Sequence, residues 1–252
     1  MDFVKMEGLG NDFIVVDGPI ELESGRIAAW CERQTGIGAD GVLMVTPLDE
    51  RRVQMRYWNA DGGPAEMCGN GLRCVALLAR RRGWVGEDSF VVESAAGSHP
   101  VTVLDGEMVR AFVGRPHQFR VGQLAIGGYT VVPVGVGNPH AVIIVGSVDD
   151  APVTEAGPRV EGDPMFPGGT NVEFVEVVDS ERIRVRVWER GVGETRASGT
   201  GATAAAFVAH FQELTGSVVT VELPGGALEI SLDDAGAWMV GPARVVYSGT
   251  VA

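Results

Sequence analysis

The second half of this chain repeats the pattern of the first half, and this repeat restricts the possible folds more than any other feature. The strongest match joins Met67-Cys68-Gly69-Asn70-Gly71 to Ala197-Ser198-Gly199-Thr200-Gly201, where Cys68 aligns with Ser198 at an offset of 130 residues. An apolar segment of helical composition follows each of these glycine-bearing turns. A repeat of this length predicts two domains of similar fold.

Three further pairs of segments occur in the same order along the two halves. Chance explains any single match, because the chain contains 36 glycines. It does not explain four matches in one order. The further pairs are Gly8–Phe13 with Gly135–His140, Gly38–Leu43 with Gly169–Phe174, and Glu93 and Gly97 with Glu222 and Gly226.

Most of the chain is predicted to form strands, with one prominent helix in each half. Runs of β-branched residues bounded by Gly, Pro or Asp are typical of strands, whereas residues 69–82 and 199–214 have helical composition. We therefore expect an α/β fold with two similar, pseudo-symmetric domains, each strand-rich and wrapped around a central helix. Interrupted periodicity near residues 115–130 divides the chain into halves at 1–120 and 121–252.

The composition indicates a protein that acts on a small molecule. A formal charge of -13 and a pI near 4.7 argue against binding to nucleic acid or to an anionic membrane, since both depend on basic surface. No apolar run approaches the roughly 18 residues of a membrane span, and the N-terminus lacks a secretory signal pattern. Three cysteines without zinc-ligand spacing predict a reducing, cytoplasmic location and no structural metal.

The turn at Cys68 combines a thiol with the start of a predicted helix. Backbone N–H groups without intrahelical partners point outward there, so that such a turn can bind a carboxylate. The helix dipole also lowers the pKa of a nearby thiol from about 8.5. Ser198 repeats the arrangement, and a cleft between the domains is predicted to hold one small anion. The alternative is a plain helix-entry turn with an ordinary buried cysteine, but the duplication favours a functional site.

Five motifs give the chain a resemblance to a known family. In the order of the chain they are Gly8-Leu9-Gly10-Asn11-Asp12-Phe13, Asn59-Ala60-Asp61-Gly62, Met67-Cys68-Gly69-Asn70-Gly71, Gly137-Asn138-Pro139-His140 and Glu189-Arg190-Gly191-Val192-Gly193-Glu194-Thr195. They resemble the successive motifs of the diaminopimelate epimerase family over nearly the whole chain. The resemblance implies two similar α/β domains, each a strand-rich barrel around a central helix.

The resemblance also implies a reaction. Family members convert LL-diaminopimelate to meso-diaminopimelate, a precursor of lysine and peptidoglycan, without pyridoxal phosphate, metal or another cofactor, and a homodimer is expected. One group removes the α-proton from one face and a second group returns a proton from the other face. In the family both groups are cysteines, and Cys68 matches the first of them.

The substrate-binding residues that the resemblance implies lie in these same motifs. Asn59 and Asn138 have an alternative interpretation as turn residues, and Glu189 and Arg190 as a solvated pair. His140 is predicted to support a base or to be structural, and Asp40 and Thr195 are expected to be structural. The implied substrate binders are Asn11, Asn59, Gly69, Asn70, Asn138, Asn171, Glu189, Arg190, Gly199 and Thr200.

Two positions depart from the family pattern. Ser198 stands where the second cysteine is expected, and a serine hydroxyl is a poor proton acceptor without an activating base. Three interpretations stay open: a substitution made to stop turnover, which we favour because the surrounding motifs are retained, a homologue with an altered reaction, or a serine activated by an unrecognised group. Gly41 replaces a polar side chain, which leaves room for another amino-acid substrate.

Alternative functions follow from these departures. One is a related cofactor-independent amino-acid racemase, or a Cys/Ser homologue with only one strong base. Another is a non-catalytic amino-acid binding protein that retains the glycine turns and asparagines. Exchange of the α-proton into heavy water separates these possibilities, because a binding protein gives no exchange.

Overall fold

The computed structural model describes residues 1–120 and 122–251 and confirms a strand-rich α/β fold. The chain divides into two compact units. The first contains Met1–Phe112 together with the C-terminal segment that begins at Val240, and the second contains Val113–Met239. Each unit has one long, almost fully buried helix and one short helix. The sequence predicts the two long helices but not the two short ones.

In the first unit, strands outnumber the two α-helices. Its elements are β1 (Asp2–Gly8), β2 (Asn11–Asp17), α1 (Ser24–Cys31), β3 (Gly41–Asp49), β4 (Arg52–Asn59), β5 (Pro64–Ala65), α2 (Gly69–Arg81), β6 (Ser89–Ser94), β7 (Gly97–Val103), β8 (Met108–Gly114), whose last residues enter the second unit, and the C-terminal β19 (Arg244–Thr250).

The second unit repeats this arrangement. Its elements are β9 (His117–Gln118), β10 (Leu124–Ile126), β11 (Tyr129–Gly135), β12 (Pro139–Val145), α3 (Val153–Glu161), β13 (Asn171–Asp179), β14 (Arg182–Glu189), β15 (Gly193–Thr195), α4 (Gly199–Phe211), β16 (Val218–Leu223), β17 (Gly226–Asp233) and β18 (Gly236–Pro242), whose end returns to the first unit.

Strand pairing shows the similarity of the two units directly. In the first unit β2 pairs parallel with β3, β3 antiparallel with β4, β4 parallel with β6, and β6 antiparallel with β7. The second unit has the same sequence of orientations in β12, β13, β14, β16 and β17. The prediction of two pseudo-symmetric α/β domains is therefore confirmed at the level of topology.

The strand registers correct one detail of the repeat. Phe13 lies opposite Gly41 in the first unit, and His140 lies opposite Asn171 in the second. Gly41 is therefore the equivalent of Asn171, whereas the matching of Gly38–Leu43 to Gly169–Phe174 placed Asp40 there. The correct offset is 130 residues, which makes Leu43 the equivalent of Glu173.

The long helices are buried on all sides, which explains their apolar composition. In α2 every residue from Gly69 to Ala79 is buried, and the helix packs against β1, β2, β3, β4, β6 and β7. The helix ends where Gly83 adopts a φ of 67°, with Trp84 N–H donating to Ala79 O at 3.1 Å. A glycine in this left-handed conformation is a common helix terminator.

The C-terminal strand gives the compact units boundaries that differ from the expected halves at 1–120 and 121–252. Strand β19 pairs antiparallel with β1, from Asp2 opposite Thr250 to Glu7 opposite Arg244. This pairing joins residues at opposite ends of the chain, so local sequence pattern carries no signal for it. The last segment consequently belongs to the first compact unit.

Candidate active site

The first helix start is formed by Cys68 and the glycines that follow it. Cys68 is extended, with φ -139° and ψ 122°, and its carbonyl accepts the hydrogen bond from Leu72 N–H at 2.8 Å. Gly71 packs directly against β3, since a Cβ atom there would lie 3.1 Å from Leu43 Cδ2. The glycine therefore allows the first turn of α2 to approach the sheet closely.

A directed chain of hydrogen bonds runs past Cys68. Arg73 Nη2 donates to Asn70 Oδ1 at 2.8 Å, Asn70 Nδ2 donates to Asn11 Oδ1 at 3.1 Å, and Asn11 Nδ2 donates to Asp40 Oδ2 at 2.6 Å. A guanidinium only donates and a carboxylate only accepts. The two ends of the chain therefore fix the orientation of both amides between them.

The sulfur of Cys68 meets this chain at Asn11. Cys68 Sγ lies 3.5 Å from Asn11 Oδ1, and the thiol donates the hydrogen bond. Cys68 is partly exposed, whereas Cys31 and Cys74 are buried. Burial raises the pKa of Cys31 to about 11 and raises the pKa of Cys74 as well. Cys68 is therefore the thiol most open to a substrate.

Charged side chains surround Asp40, the last acceptor in this series of hydrogen bonds. Asp12 contacts Lys5 Nζ at 2.6 Å and Arg33 Nη2 at 2.8 Å, and Arg33 Nη2 also reaches Asp40 Oδ1 at 2.6 Å. Burial by itself raises the pKa of Asp12, but hydrogen bonds from Arg33 and Lys5 outweigh it and lower the pKa to about 2. Asp40, expected to be structural, thus positions the predicted substrate binder Asn11.

The second helix start has similar backbone geometry but different contacts. Ser198 has φ -133° and ψ 122°, and its Oγ accepts the hydrogen bond from Gly201 N–H at 3.2 Å. The serine therefore acts as an N-cap for α4, a role that its hydroxyl performs well. A Cβ atom on Gly201 would lie 2.9 Å from Glu173 Oε1 and 3.1 Å from Ser198 Oγ.

A fully buried carboxylate and imidazole lie beside this start. His140 Nδ1 is 2.7 Å from Glu173 Oε1, and His140 Nε2 is 2.8 Å from Asn138 Oδ1. Burial raises the pKa of Glu173, while the charge of His140 and its hydrogen bond act to lower it. Among the described residues, Glu173 Oε2 has no hydrogen-bond partner. Because Asn138 Oδ1 accepts from the imidazole, the amide NH₂ of Asn138 is left to act as a donor.

The remaining predicted binders of the second unit lie where β13 begins and β14 ends. Asn171 Nδ2 donates to Pro139 O at 3.1 Å, and its Oδ1 accepts from Arg190 N–H at 3.0 Å. Arg190 Nη1 reaches Gly168 O at 3.4 Å. Glu189 accepts a hydrogen bond from the hydroxyl of Thr195.

The structure therefore connects several of the predicted residues. Asn11, Cys68, Gly69 and Asn70 form one connected set, as do Ser198, Gly199 and Thr200 in the first turn of α4. Asn59 is exposed at the end of β4, where its backbone N–H bonds to Gly63 O at 2.9 Å.

The sequence analysis missed two charged residues that are fully buried. Arg73 lies in a helix whose residues from Leu72 to Ala79 are otherwise apolar, and Glu173 interrupts the apolar run of β13. Both have 0% relative exposure. A charged residue inside an apolar run was the available signal, since such residues are almost never fully buried unless paired.

The part of the chain that the structure describes has neither a membrane-spanning helix nor a cluster of metal ligands. None of the helices at residues 1–120 and 122–251 has the length and apolar character needed to cross a membrane. The same residues contain no group of three or more His, Cys, Asp and Glu side chains arranged to hold a metal ion.

Comparison with known proteins identifies the family. The family model described as Diaminopimelate epimerase matches residues 3–117 and 132–246. The diaminopimelate epimerase of Desulforudis audaxviator is 44% identical, covering 99% of this chain and 98% of the relative. That of Moorella thermoacetica is 41% identical, with the same two coverages of 99% and 98%.

Solved structures of more distant proteins share the fold. The hydroxyproline epimerase of Agrobacterium vitis, solved with bound trans-4-hydroxy-L-proline, has a TM-score of 0.76 at 17% identity, covering 100% of this chain and 90% of that one. The two-unit topology, the whole-chain match of the family model and the identity to its members agree. The chain belongs to the diaminopimelate epimerase family and is an isomerase of the epimerase type.

Proposed function

We propose that this protein interconverts LL-diaminopimelate and meso-diaminopimelate by proton transfer at the α-carbon, with Cys68 as one acid/base group. The observation that carries the proposal is the connected set at the start of α2, where a partly exposed thiol contacts Asn11 and adjoins Asn70. The relatives at 44% and 41% identity, which carry the name diaminopimelate epimerase, support the choice of substrate.

The first turn of α2 suits the charge that develops during the reaction. Removal of the α-proton pushes electron density onto the substrate carboxylate, and fixed backbone donors stabilise that charge. Gly69, Asn70 and Gly71 supply N–H groups that the helix geometry leaves without intrahelical partners. The positive end of the helix dipole favours both the carboxylate and the thiolate of Cys68. Gly199 and Thr200 supply the corresponding groups in α4.

Ser198 is the acid/base group expected to limit turnover. Inversion needs a group on each face of the α-carbon, and we assign Cys68 to one face and position 198 to the other. The hydroxyl of Ser198 is a much weaker acid than a thiol and is already engaged as the N-cap of α4. The protein is therefore expected to remove a proton through Cys68 faster than it completes inversion.

The hydrogen bond from Gly201 N–H to Ser198 Oγ favours a second candidate function, that of a one-base enzyme. Such an enzyme exchanges the α-proton of a bound amino acid from a single face and returns it with retention of configuration. Proton exchange without net inversion in the unaltered protein is its signature. A non-catalytic binding protein gives neither exchange nor inversion.

Asn11, Asn59, Asn138 and Asn171 remain proposed substrate contacts, as do Glu189 and Arg190. We assign Asn138 as a donor to the substrate, because His140 already donates to its carbonyl. Glu189 and Arg190 are assigned to the distal amino and carboxylate groups. These two side chains lie on β14 and the turn after it, next to Asn171.

The reaction is proposed to need no cofactor. Protein dialysed exhaustively against a chelator and treated with a carbonyl reagent to remove pyridoxal phosphate should convert LL- to meso-diaminopimelate at the rate of untreated protein, measured by chiral chromatography. The Ser198→Cys variant serves as the more active form of the same assay. A loss of conversion that one added metal restores would contradict this part of the proposal.

Cellular setting and assembly are proposed from the family. We assign the protein to the cytoplasm, to the synthesis of lysine and peptidoglycan precursors, and to a homodimer. Light scattering coupled to size-exclusion chromatography tests the last point. A mass near twice 26.6 kDa supports it, and a mass near 26.6 kDa at assay concentration contradicts it.

A further inference from the structure

We propose that Arg73 is a positioning residue for Cys68, which orients the asparagines around the sulfur and places a permanent positive charge behind the first turn of α2. This inference rests on the proposed function, in which Cys68 removes the α-proton. Arg73 itself has 0% exposure and touches no substrate. It acts through the residues that it holds.

The guanidinium makes three hydrogen bonds within the first unit. Nη2 donates to Asn70 Oδ1 at 2.8 Å, Nη1 donates to Gly69 O at 3.3 Å, and Nε donates to Pro242 O at 3.1 Å. The first two contacts are on the turn that carries Cys68, and the third is on the C-terminal segment of the same unit. The fork geometry of arginine allows these simultaneous contacts, which a lysine ammonium cannot reproduce.

The orientation of Asn11 depends on this anchor. Because Arg73 fills the carbonyl side of Asn70, the NH₂ of Asn70 is turned to Asn11 Oδ1. That carbonyl oxygen is also the atom that accepts from Cys68 Sγ at 3.5 Å. Without Arg73, the carbonyl of Asn70 loses this donor, and the orientation of the Asn11 oxygen that accepts from the sulfur is less firmly fixed.

The charge of Arg73 acts on the sulfur as well. Arginine keeps its proton at neutral pH. Burial lowers the pKa of Arg73, and the attraction between its charge and the Cys68 thiolate acts to raise that pKa. The same attraction favours the thiolate. The other ionisable groups that act on Arg73 are Glu7 of β1 and Cys74 of α2, and burial raises the pKa of Cys74, so that it stays neutral. Asp40 lies one amide further away, beyond Asn11.

The equivalent position in the second unit shows that helix packing does not require this arginine. Thr203 occupies it in α4, also with 0% exposure. Its hydroxyl donates to Gly199 O at 2.9 Å, as Arg73 donates to Gly69 O. A small neutral residue therefore suffices at the same buried position of the equivalent helix, which also has 13 residues. The cation is specific to the half that carries Cys68.

The test is the pH dependence of Cys68 alkylation in the full-length protein. Iodoacetamide labelling is followed by peptide mass spectrometry from pH 5 to 10 in the parent, Arg73→Met, Arg73→Gln and Arg73→Lys. Arg80→Met is the matched control, since Arg80 is an exposed arginine of the same helix, paired with Asp88 at 2.6 Å. Circular dichroism confirms that each variant is folded.

The neutral variants should move the labelling midpoint of Cys68 upward by about one pH unit, because losing a neighbouring opposite charge outweighs losing the long hydrogen bond that holds the neutral thiol against Asn11 Oδ1 at 3.5 Å. Arg80→Met should leave the midpoint unchanged. A folded neutral variant with the parent midpoint overturns the charge role. Labelling needs no substrate, so this result is distinct from failure of the proposed function, which shows as absence of α-proton exchange in the parent.

Arg73→Lys tests positioning separately and remains informative if the neutral variants do not fold. Its charge is retained, so its midpoint should stay near that of the parent. Its contacts with Asn70 and Pro242 are lost, so α-proton exchange should fall about tenfold or more with KM little changed. An Arg73→Lys variant with parental exchange overturns the positioning role.

Discussion

The two helix starts share a backbone geometry but differ in the buried polar groups beside them. Beside Cys68 lie the apolar Leu43 and the guanidinium of Arg73. The equivalent positions beside Ser198 hold Glu173, which is paired with His140, and the neutral Thr203. The duplicated scaffold thus carries an arginine in one half and a carboxyl–imidazole pair in the other.

This difference has a chemical consequence. A buried cation favours the anionic form of an adjacent acid/base group. Under the proposed mechanism, Arg73 therefore favours the thiolate of Cys68, whereas Glu173 and His140 beside position 198 offset each other's charge. The two pseudo-equivalent positions are therefore expected to differ in how readily they accept a proton.

The largest expected effect comes from making the two sites chemically alike. Ser198→Cys supplies a thiol at the second helix start and should raise LL- to meso-diaminopimelate conversion by about 10²-fold or more, the scale of one acid/base group. Chiral chromatography measures the product. The control is Ser180→Cys, which adds a thiol to the exposed turn between β13 and β14 of the same unit. A Ser198→Cys protein that binds substrate without faster inversion contradicts the assignment of position 198.

The buried pair beside Ser198 can be replaced by its counterpart from the first unit. His140→Phe and Glu173→Leu copy Phe13 and Leu43. Each single change leaves a buried polar partner and should cost about 3–5 kcal/mol of unfolding free energy. The double variant should recover most of this loss, because well-packed apolar residues replace a buried ion pair without penalty. Urea unfolding of all four proteins measures the coupling.

The difference in unfolding free energy between the parent and the double variant should change with pH in a defined direction. Burial raises the pKa of Glu173 above its ordinary value of 4.5, so the folded state binds this proton more tightly than the unfolded state. The parent therefore loses stability as pH rises from about 4.5 through the folded pKa. The double variant lacks this loss, so its free energy of unfolding should rise relative to that of the parent as pH increases. A difference that is constant from pH 4 to 8 contradicts the assignment of a raised pKa.

Part of this architecture was predictable and part was not. The glycine turns and apolar runs predicted α2 and α4, because a buried helix and its entry turn are local features. The pairing of β19 with β1 joins residues at opposite ends of the chain, so no local pattern indicates it. The short helix α3 was missed because Pro158 interrupts its pattern.

Three of the residues that hydrogen bonds connect at the first helix start were predictable from the sequence, but the buried charges beside the two helix starts were not. Repeat and motif pointed to Cys68, Asn11 and Asn70, which the structure joins by hydrogen bonds. Arg73 and Glu173 were not recognised, because an arginine in a helix and a glutamate in a strand usually face solvent. Only the packing of each unit shows that both are buried.

The smallest expected effect concerns the ends of the two long helices. Gly83 ends α2 with φ 67°, and Glu213 occupies the equivalent place after α4 with φ 60°. A residue with a Cβ atom is strained there by about 1–2 kcal/mol. Glu213→Gly should therefore stabilise the protein by about 1 kcal/mol, and Gly83→Ala should destabilise it by a similar amount. Thermal unfolding measures both, and a stabilising Gly83→Ala would contradict the account.

The most direct test of the central claim is α-proton exchange by the unaltered protein in heavy water. LL- and meso-diaminopimelate are incubated separately with the parent, with Cys68→Ala and with the buried-thiol control Cys31→Ala, and proton NMR follows loss of the α-signal. We predict exchange in the parent and in Cys31→Ala, and a loss of about 10³-fold or more in Cys68→Ala. Substrate binding without exchange in the parent, or exchange that survives in Cys68→Ala, would contradict Cys68 as the proton-transferring thiol.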